Sequence, residues 1–249
     1  MPAAGFLQIL ESVDSTNNYA MQQLHAGLAN HGMAWFSMSQ TAGKGQRGKH
    51  WKTEPGKNIA MSLVLQPGRT GPIGQFHLSA AVALACFEFF SAHAGPETKI
   101  KWPNDLYWRD RKAGGILIEN VFHGKTWKWA VVGTGININQ TVFDASLPNP
   151  VSLKQITGKE FDAVALAHEL CGLLMKHVSL LQEQGAAAVL EAYNRHLYKK
   201  DQPVMLVVNG EPIEVTIRGV SEEGKLITSG TAGREFDFGQ VDWVIESPR

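Results

Sequence analysis

A glycine-rich basic segment at residues 40–51 has the residue types and spacing that most clearly suggest chemistry. Its glycines alternate with polar and charged side chains in the run Gly43, Lys44, Gly45, Gln46, Arg47, Gly48 and Lys49. Residues 40–60 hold five lysines and arginines against one glutamate, in a chain whose formal net charge is zero. Glycine lets backbone N–H groups come close to an anion, and basic side chains neutralise it. The segment therefore predicts a phosphate site, although a solvated flexible loop would have the same composition.

Two familiar phosphate-binding motifs do not describe this segment. The pattern G-x-x-x-x-G-K-[ST] is absent from the chain. Gly43, Gly45 and Gly48 have the spacing G-x-G-x-x-G, but they lead into Lys-His-Trp rather than into a helix. A dinucleotide-binding fold also requires strand–helix–strand units around that motif, which the flanking sequence does not offer.

Three later clusters combine glycine with polar groups. In Lys101–Asp105, Pro103 keeps its predecessor extended and predicts a rigid turn between two strands. In Lys112–Glu119, a lysine is followed by a Gly-Gly pair that lets a ligand approach the backbone closely. Gly133–Asn137 ends an apolar strand with small residues and an amide. Taken singly, each is also typical of an Asx turn, an exposed lysine or an edge-strand bulge.

The elements that must position these clusters follow from hydrophobic periodicity. We expect helices at 14–28, 75–93, 162–184 and 186–197 and strands at 6–11, 33–39, 58–65, 100–102, 106–108, 115–122 and 128–138, with a turn at 66–74. In the first helix, residues 14–17 supply the N-cap and Gly27 or Asn30 closes the C-terminal end near Leu28. After Pro203, short strands separated by turns such as Asn209-Gly210 predict a small barrel. The fold class is therefore α+β, with a mixed or antiparallel sheet flanked by helices, and a domain boundary near residue 200.

Composition limits the class of protein. The chain has 249 residues, 44% of them hydrophobic and 18% charged, which is typical of a globular protein. A net charge of zero disfavours a general nucleic-acid binder. Cys86 and Cys171 lie in apolar segments and are expected to be buried and unreactive. Without a basic leader or an apolar stretch of about 20 residues, neither secretion nor a membrane span is expected, and the cytoplasm is the expected location.

In this order, the clusters resemble those of the biotin protein ligases over nearly the whole chain. The segments that carry the resemblance are Asp14–Asn17, Gly43–Trp51, Lys101–Asp105, Lys112–Glu119 and Gly133–Asn137. The resemblance implies a catalytic core like that of class II aminoacyl-tRNA synthetases over residues 1–198 and an SH3-like domain over 199–249. It also implies ATP-dependent formation of biotinyl-5′-AMP with Mg²⁺, followed by transfer of biotin to a lysine. The acceptor would be the biotin carboxyl carrier protein domain of a biotin-dependent carboxylase.

The same resemblance implies the site residues. The biotin pocket would contain Ser15, Thr16, Asn17, Gln40, Gly43, Lys44, Gly45, Gln46, Lys112, Gly115 and Gly133. The ATP side would contain Lys44, Arg47, Trp51, Asn104, Asp105, Lys112 and Asn137. Lys112 and Arg47 would be catalytic, and the metal would be carried mainly by the nucleotide phosphates rather than by the protein. Gly115 and Gly133 would leave room for the thiophene ring and the valeryl chain of biotin.

The basic segment departs from the family pattern. Gln46 stands where the family commonly has an arginine, and Lys44 and Lys49 replace two more. The phosphate-side charge would then rest on Lys44, Arg47 and Lys112. The resemblance implies that this loop is disordered without ligand and closes over the intermediate, because an acyl-adenylate hydrolyses in water.

Three other functions compete with biotin ligation. A lipoate–protein ligase shares the chemistry, an octanoyltransferase would need a thiol nucleophile, and a non-catalytic binding module would need neither Lys112 nor Arg47. Because the first catalytic strand begins near Phe6, no N-terminal DNA-binding domain and no repressor role are expected. We expect no DNA or membrane partner, and a homodimer is left open.

Overall fold

The structure is a computed structural model that describes residues 6–67, 74–230 and 234–245. Most of the turn predicted at residues 66–74 lies outside these ranges, as do the first five residues of the chain.

A seven-stranded mixed sheet forms the centre of the larger part of the molecule. Its strands are β1 Leu7–Val13, β2 Ala34–Gln40, β3 Ile59–Leu65, β4 Thr98–Lys101, β5 Asp105–Trp108, β6 Arg111–His123 and β7 Thr126–Ile136. They lie in the order β1-β2-β3-β7-β6-β5-β4. Only the β1–β2 pair is parallel in this sheet. The predicted meander from β4 to β7 is present as three successive antiparallel pairings.

Within the described ranges, five α-helices flank the two sheets. They are α1 Thr16–His25, α2 Gln75–Ala94, α3 Leu153–Thr157, α4 Ala163–Gln184 and α5 Ala186–Arg195. Side chains alternate across each strand, so Phe36 and Leu63 face the core under α2 and α4. Trp35 and Val64 face the smaller core under α1. The α1 side of the sheet is therefore only partly covered, which leaves room there for a site.

Helix α1 begins within the predicted capping residues and is closed by Gly27, one of the two predicted closing residues. Its last helical residue is His25 rather than one near Leu28, because Gly27 is in the left-handed region at φ 71° and the N–H of Leu28 turns back to the Gln23 carbonyl at 2.9 Å. The side chain of Ser15 makes no capping bond. The N–H of Thr16 donates instead to Oε1 of Gln40, 2.8 Å away on β2. The start of α1 is thus joined to the neighbouring strand.

Helices α2 and α4 are long and apolar enough to span a membrane by length and composition, at 20 and 22 residues. The sequence analysis expected no apolar stretch of about 20 residues, and these two helices depart from that expectation. Leu78, Phe89 and Phe90 of this helix are buried in the main core of the protein. Helices of this composition are also found in the cores of folded domains, so length and hydropathy do not decide between the two.

A second, five-stranded antiparallel sheet follows. Its strands are β8 Pro203–Val208, β9 Glu211–Val220, β10 Leu226–Ser229, β11 Glu235–Phe236 and β12 Val241–Trp243, in the order β11-β10-β9-β8-β12. Among the described residues β11 and β12 are not paired with each other, so the sheet is an SH3-like half-barrel. The predicted fold class is confirmed.

The small sheet is attached to the larger part by specific hydrogen bonds. The indole N–H of Trp102 donates to the Gly224 carbonyl at 2.9 Å. The Asn194 side chain on α5 bonds both the N–H and the carbonyl of Val220, at 2.7 and 3.1 Å. A domain boundary near residue 200 stays a prediction, although the chain crosses from one sheet to the other over residues 196–202.

Candidate functional site

A cavity of about 330 Å³ lies on the α1 side of the large sheet and extends to the small sheet. Fifteen of the predicted site residues line it, namely Ser15, Thr16, Asn17, Gln40, Lys44, Gly45, Gln46, Arg47, Trp51, Asn104, Asp105, Lys112, Gly115, Gly133 and Asn137. Side chains separated by more than 100 positions in sequence therefore meet in one place. The individual roles of these residues stay predictions.

Small residues in adjacent strands form the floor of the cavity. Gly133 and Gly135 on β7 and Gly115 on β6 line it, whereas Ser62 on β3, the strand partner of Gly133, is buried beneath and does not line it. A Cβ at Gly133 would overlap the side-chain amide of Asn17, and a Cβ at Gly135 would overlap the Trp51 ring. In this structure, position 133 must be glycine because a larger residue would displace Asn17. The prediction had given a different reason, namely room for biotin.

Polar side chains converge at one corner of this floor. The Ser62 hydroxyl oxygen lies 2.8 Å from Thr16 Oγ1 and 2.5 Å from Asn17 Oδ1. The Asn17 amide donates to Glu119 Oε2 at 2.8 Å, and Gln40 Oε1 accepts from the backbone and hydroxyl of Thr16. Thr16, Asn17 and Ser62 are buried. This polar corner presents matched donors and acceptors in fixed positions.

Sequence reasoning missed Ser62 and Glu119. Ser62 is the one hydroxyl in an otherwise apolar strand, Ile59–Leu65, and that exception was a usable signal. Glu119 ends the segment Lys112–Glu119 that carries the resemblance, but it was not assigned to the site. Its carboxylate accepts from Asn17 and also pairs with Lys44 Nζ at 3.1 Å, so it connects the polar corner to the basic loop.

Substitution of Ser62 by alanine is expected to weaken biotin binding about tenfold, because a buried acceptor on Asn17 loses its donor. Isothermal titration calorimetry with biotin measures this. Ser91→Ala on α2 is the matched control, since that hydroxyl bonds only the Glu88 carbonyl away from the cavity. Equal biotin affinities in the two variants would remove Ser62 from the site.

The basic loop, residues 43–51, is folded back on itself. Lys44 and His50 pair as an antiparallel bridge, and the Gly45 N–H donates to the Lys49 carbonyl at 2.7 Å. The Trp51 N–H donates to the Gly43 carbonyl at 2.9 Å. Gly43 is buried and does not line the cavity, and a Cβ there would overlap the Trp51 carbonyl oxygen. Its position serves the closure of the loop, and its contact with biotin stays a prediction.

Cations are concentrated on the same cavity. Lys112 lies within β6 rather than in the turn before it, and its Nζ is 2.6 Å from Asp105 Oδ1. Arg47 is exposed, and its guanidinium lies 5.8 Å from the centre of the Phe238 ring on the small-sheet side. The two predicted catalytic cations are thus both at the cavity, one held by a carboxylate and one by an aromatic ring.

Two predicted ATP-side residues have their amide nitrogens in backbone bonds. Asn104 Nδ2 donates to the Ile116 carbonyl at 2.5 Å. Asn137 Nδ2 donates to the carbonyls of Val151 and Lys112, at 3.1 and 3.4 Å. Both side chains therefore hold the strands and loops around Lys112, which is a positional role that sequence reasoning did not assign.

A loop over residues 139–151 covers part of the cavity and was not predicted as part of it. Phe143 and Leu147 of this loop line the cavity. The loop is fastened to β6, because the Lys112 N–H donates to the Asn149 carbonyl at 2.8 Å and Arg111 donates to the Pro150 carbonyl at 2.6 Å. Its apolar side chains provide a surface against which a planar base can pack.

The cysteines are away from the cavity. Cys86 on α2 and Cys171 on α4 are both buried and free. Burial raises the pKa of Cys86 to about 12 and that of Cys171 to about 11, so neither is a thiolate near neutral pH. In the described part of the chain no three His, Cys, Asp or Glu side chains are grouped as metal ligands.

Residues 9–137 match the model of the biotin/lipoate A/B protein ligase family. The chain belongs to this family. A biotin–[acetyl-CoA-carboxylase] ligase of Paracoccus denitrificans is 30% identical over 234 residues, which cover 91% of this chain and 95% of that one. The bifunctional ligase/repressor BirA of Escherichia coli is 30% identical over 90% of this chain and 69% of its own.

A solved structure of the same family has the same fold. The biotin protein ligase of Aquifex aeolicus, in complex with biotin and ATP, superposes with a TM-score of 0.81. The superposition covers 97% of this chain and 99% of that one, at 23% sequence identity. Family membership, together with this likeness, confirms both the recognised resemblance and the two-sheet architecture.

Proposed function

We infer that this chain is a biotin protein ligase, which converts biotin and ATP to biotinyl-5′-AMP and transfers biotin to a lysine of a carrier protein. One observation carries the inference: a single cavity joins a buried polar corner to a cluster of cations around Lys112. The relatives in Paracoccus denitrificans and Escherichia coli support it, since both are ligases.

The polar corner favours biotin over lipoate. The ureido ring of biotin has one carbonyl acceptor and two N–H donors, which suit the hydroxyl of Thr16 and the amide of Asn17 at the cavity wall, with Ser62 hydrogen-bonded to both from behind. Lipoate has no ureido group, so it would offer no hydrogen-bonding partner to the polar groups that line this corner. A site of matched polar groups discriminates strongly against a ligand that lacks them.

The first step joins biotin to the nucleotide. The biotin carboxylate attacks the α-phosphorus of ATP, a P–O bond to pyrophosphate breaks, and charge grows on the non-bridging oxygens. The ammonium of Lys112, held by Asp105, is positioned to stabilise that charge. Arg47 and the backbone N–H groups of the basic loop add positive potential on the same side.

The second step needs no nucleophile from this protein. The carrier lysine, as a neutral amine, attacks the acyl carbon of biotinyl-5′-AMP, and AMP leaves. A cysteine-dependent octanoyl transfer is disfavoured, because Cys86 and Cys171 are buried outside the cavity. We propose that the acceptor is the biotin carboxyl carrier protein domain of a biotin-dependent carboxylase.

We propose that Mg²⁺ enters with the nucleotide as part of the substrate. Among the described residues that line the cavity, the carboxylates are Asp105 and Asp242, and Asp105 is already paired with Lys112. That donor set does not resemble a dedicated metal site, whereas phosphate oxygens and water are the ligands that Mg²⁺ prefers.

We further propose a cytoplasmic enzyme whose partner is the carrier protein rather than DNA or a membrane. Free cysteines and a net charge of zero support this. A homodimer is proposed as well, since β1 lies at an edge of the large sheet with Ile9 45% exposed. Analytical ultracentrifugation tests the dimer.

Incubation with labelled biotin, ATP, Mg²⁺ and a carrier domain tests the function directly. We expect label on the carrier lysine, and biotinyl-5′-AMP in the absence of the carrier. A parallel incubation with labelled lipoate is the control for specificity. Labelling by lipoate in place of biotin would overturn the proposal, as would binding of biotin and ATP with no adenylate formed.

A further inference from the structure

Lys101, at the end of β4, is a buried cation that the proposed chemistry does not yet use. It lines the cavity and is only 9% exposed. No carboxylate or carbonyl of the described residues hydrogen-bonds to its Nζ, so the three N–H donors are free for a ligand. A buried charge without such partners is costly, and its presence calls for a physical explanation.

An aromatic cage built from both parts of the molecule stabilises this ammonium. Its Nζ lies 5.4 Å from the centre of the Tyr107 ring on β5 and 5.1 Å from that of Trp243 on β12. Tyr198, in the connection between the two sheets, packs against both rings at 5.1 and 5.8 Å and donates to Asp110 at 2.6 Å. Cation–π contacts hold a charge without using its hydrogen-bond donors.

The position of Lys101 relative to Lys112 indicates which anion it would meet. Lys101 is the cross-strand partner of Asp105, and Asp105 holds Lys112. Under the proposed function, Lys112 contacts the α-phosphate of ATP. Lys101 therefore lies beside it on the side of the small sheet, where Trp243 also lines the cavity.

Charge pairing separates the cations of the cavity into two sets. Lys44, Lys52 and Lys112 each have a carboxylate within 3.4 Å. Lys49, Lys101 and Arg47 have none in the described part of the chain, and of these Lys101 and Arg47 lie over an aromatic ring of the small sheet's segment 238–243. A ligand phosphate would be the first hydrogen-bonding anion that Lys101 meets.

We propose that Lys101 binds the β- and γ-phosphates that leave as pyrophosphate, and that Trp243 is a positioning residue that holds it there. The proposal rests on the proposed function. Both sheets then contribute to the nucleotide site, because Trp243 of the small sheet forms one side of the aromatic cage around Lys101.

The two half-reactions separate this role from a structural one. Lys101→Met is expected to raise the KM for ATP in ATP–pyrophosphate exchange about tenfold, the effect of losing a charge-assisted hydrogen bond. Transfer from preformed biotinyl-5′-AMP to the carrier has no pyrophosphate and is expected to be unchanged. Lys99→Met, on the same strand but outside the cavity, is the matched control.

Trp243 is tested in the same assays. Trp243→Phe keeps an aromatic ring and is expected to retain most of the affinity for ATP. Trp243→Leu is expected to raise the KM for ATP by about as much as Lys101→Met does. Transfer from preformed adenylate checks that both variants are folded. An unchanged KM in Lys101→Met, or equal losses in both half-reactions, would overturn the proposal. Wild-type protein that makes no biotinyl-5′-AMP would overturn the proposed function instead.

A pH series gives a second readout. Burial lowers the pKa of Lys101 to about 8. The positive charges of Lys112 and Lys49 lower this pKa further, and the negative charges of Asp105 and Asp242 raise it. The charged form exists below that pKa, so the KM for ATP is expected to rise as the pH passes 8. Lys101→Arg stays protonated and is expected to flatten this dependence. If the KM for ATP had the same pH dependence in the wild type and in Lys101→Arg, the role of Lys101 in phosphate binding would be contradicted.

Discussion

Replacement of Lys112 by alanine is expected to abolish biotinyl-5′-AMP formation while the protein stays folded. The ammonium is the fixed positive charge where negative charge grows on the phosphate, and losing such a group reduces rates on the order of 10²- to 10³-fold. The cost in stability is expected to be small, roughly 1 kcal/mol or less, because both side chains of the Lys112–Asp105 pair are partly exposed.

ATP–pyrophosphate exchange and thermal unfolding measure the two effects separately. Lys99→Ala removes a lysine of the adjoining hairpin that does not line the cavity, and it should behave like the wild type. Lys112→Arg tests whether charge alone suffices. Adenylate formation near the wild-type rate in Lys112→Ala would show that the catalytic assignment is wrong.

The second large effect is expected from Gly133→Ala. The added Cβ would overlap the Asn17 amide, which then has to leave its bonds to Ser62 and Glu119. We expect biotin affinity to fall on the order of 100-fold, since the polar corner would no longer match the ureido ring. Calorimetric titration with biotin measures this loss.

Two other glycines supply controls for this substitution. Gly172→Ala on α4 adds a Cβ that meets nothing within 4 Å and is expected to stabilise the helix by about 0.5–1 kcal/mol without changing biotin binding. Gly135→Ala would displace the Trp51 ring and is expected to weaken ATP binding more than biotin binding. Near-normal biotin affinity in Gly133→Ala would contradict the proposed corner.

The family resemblance, carried by local motifs, pointed to the cations and glycines that the structure brings to the cavity. Lys112, Arg47 and Gly133 all lie in those motifs. Residue periodicity predicted most of the order of the elements, with the short helix α3 missed. Periodicity likewise predicted the meander and the long helices, since buried faces repeat at fixed intervals.

The partners of these residues could not be predicted in the same way. Ser62 meets Asn17 through the register of β3 on β7, and Trp243 meets Lys101 through the attachment of one sheet to the other. Such contacts depend on tertiary geometry, for which a single sequence offers no periodic signal. The choice between Gly27 and Asn30 as the residue that closes α1 was likewise left open by the sequence, and the structure has Gly27.

The backbone and the side chain of Lys112 do separate work. Its N–H and carbonyl fasten the loop over residues 139–151 through Asn149 and Val151, whereas only its ammonium faces Asp105. Any residue other than proline could preserve those backbone bonds. A single substitution at this position is therefore expected to stop adenylate formation while the cavity keeps its shape. Such a variant would still bind biotin but would no longer consume ATP.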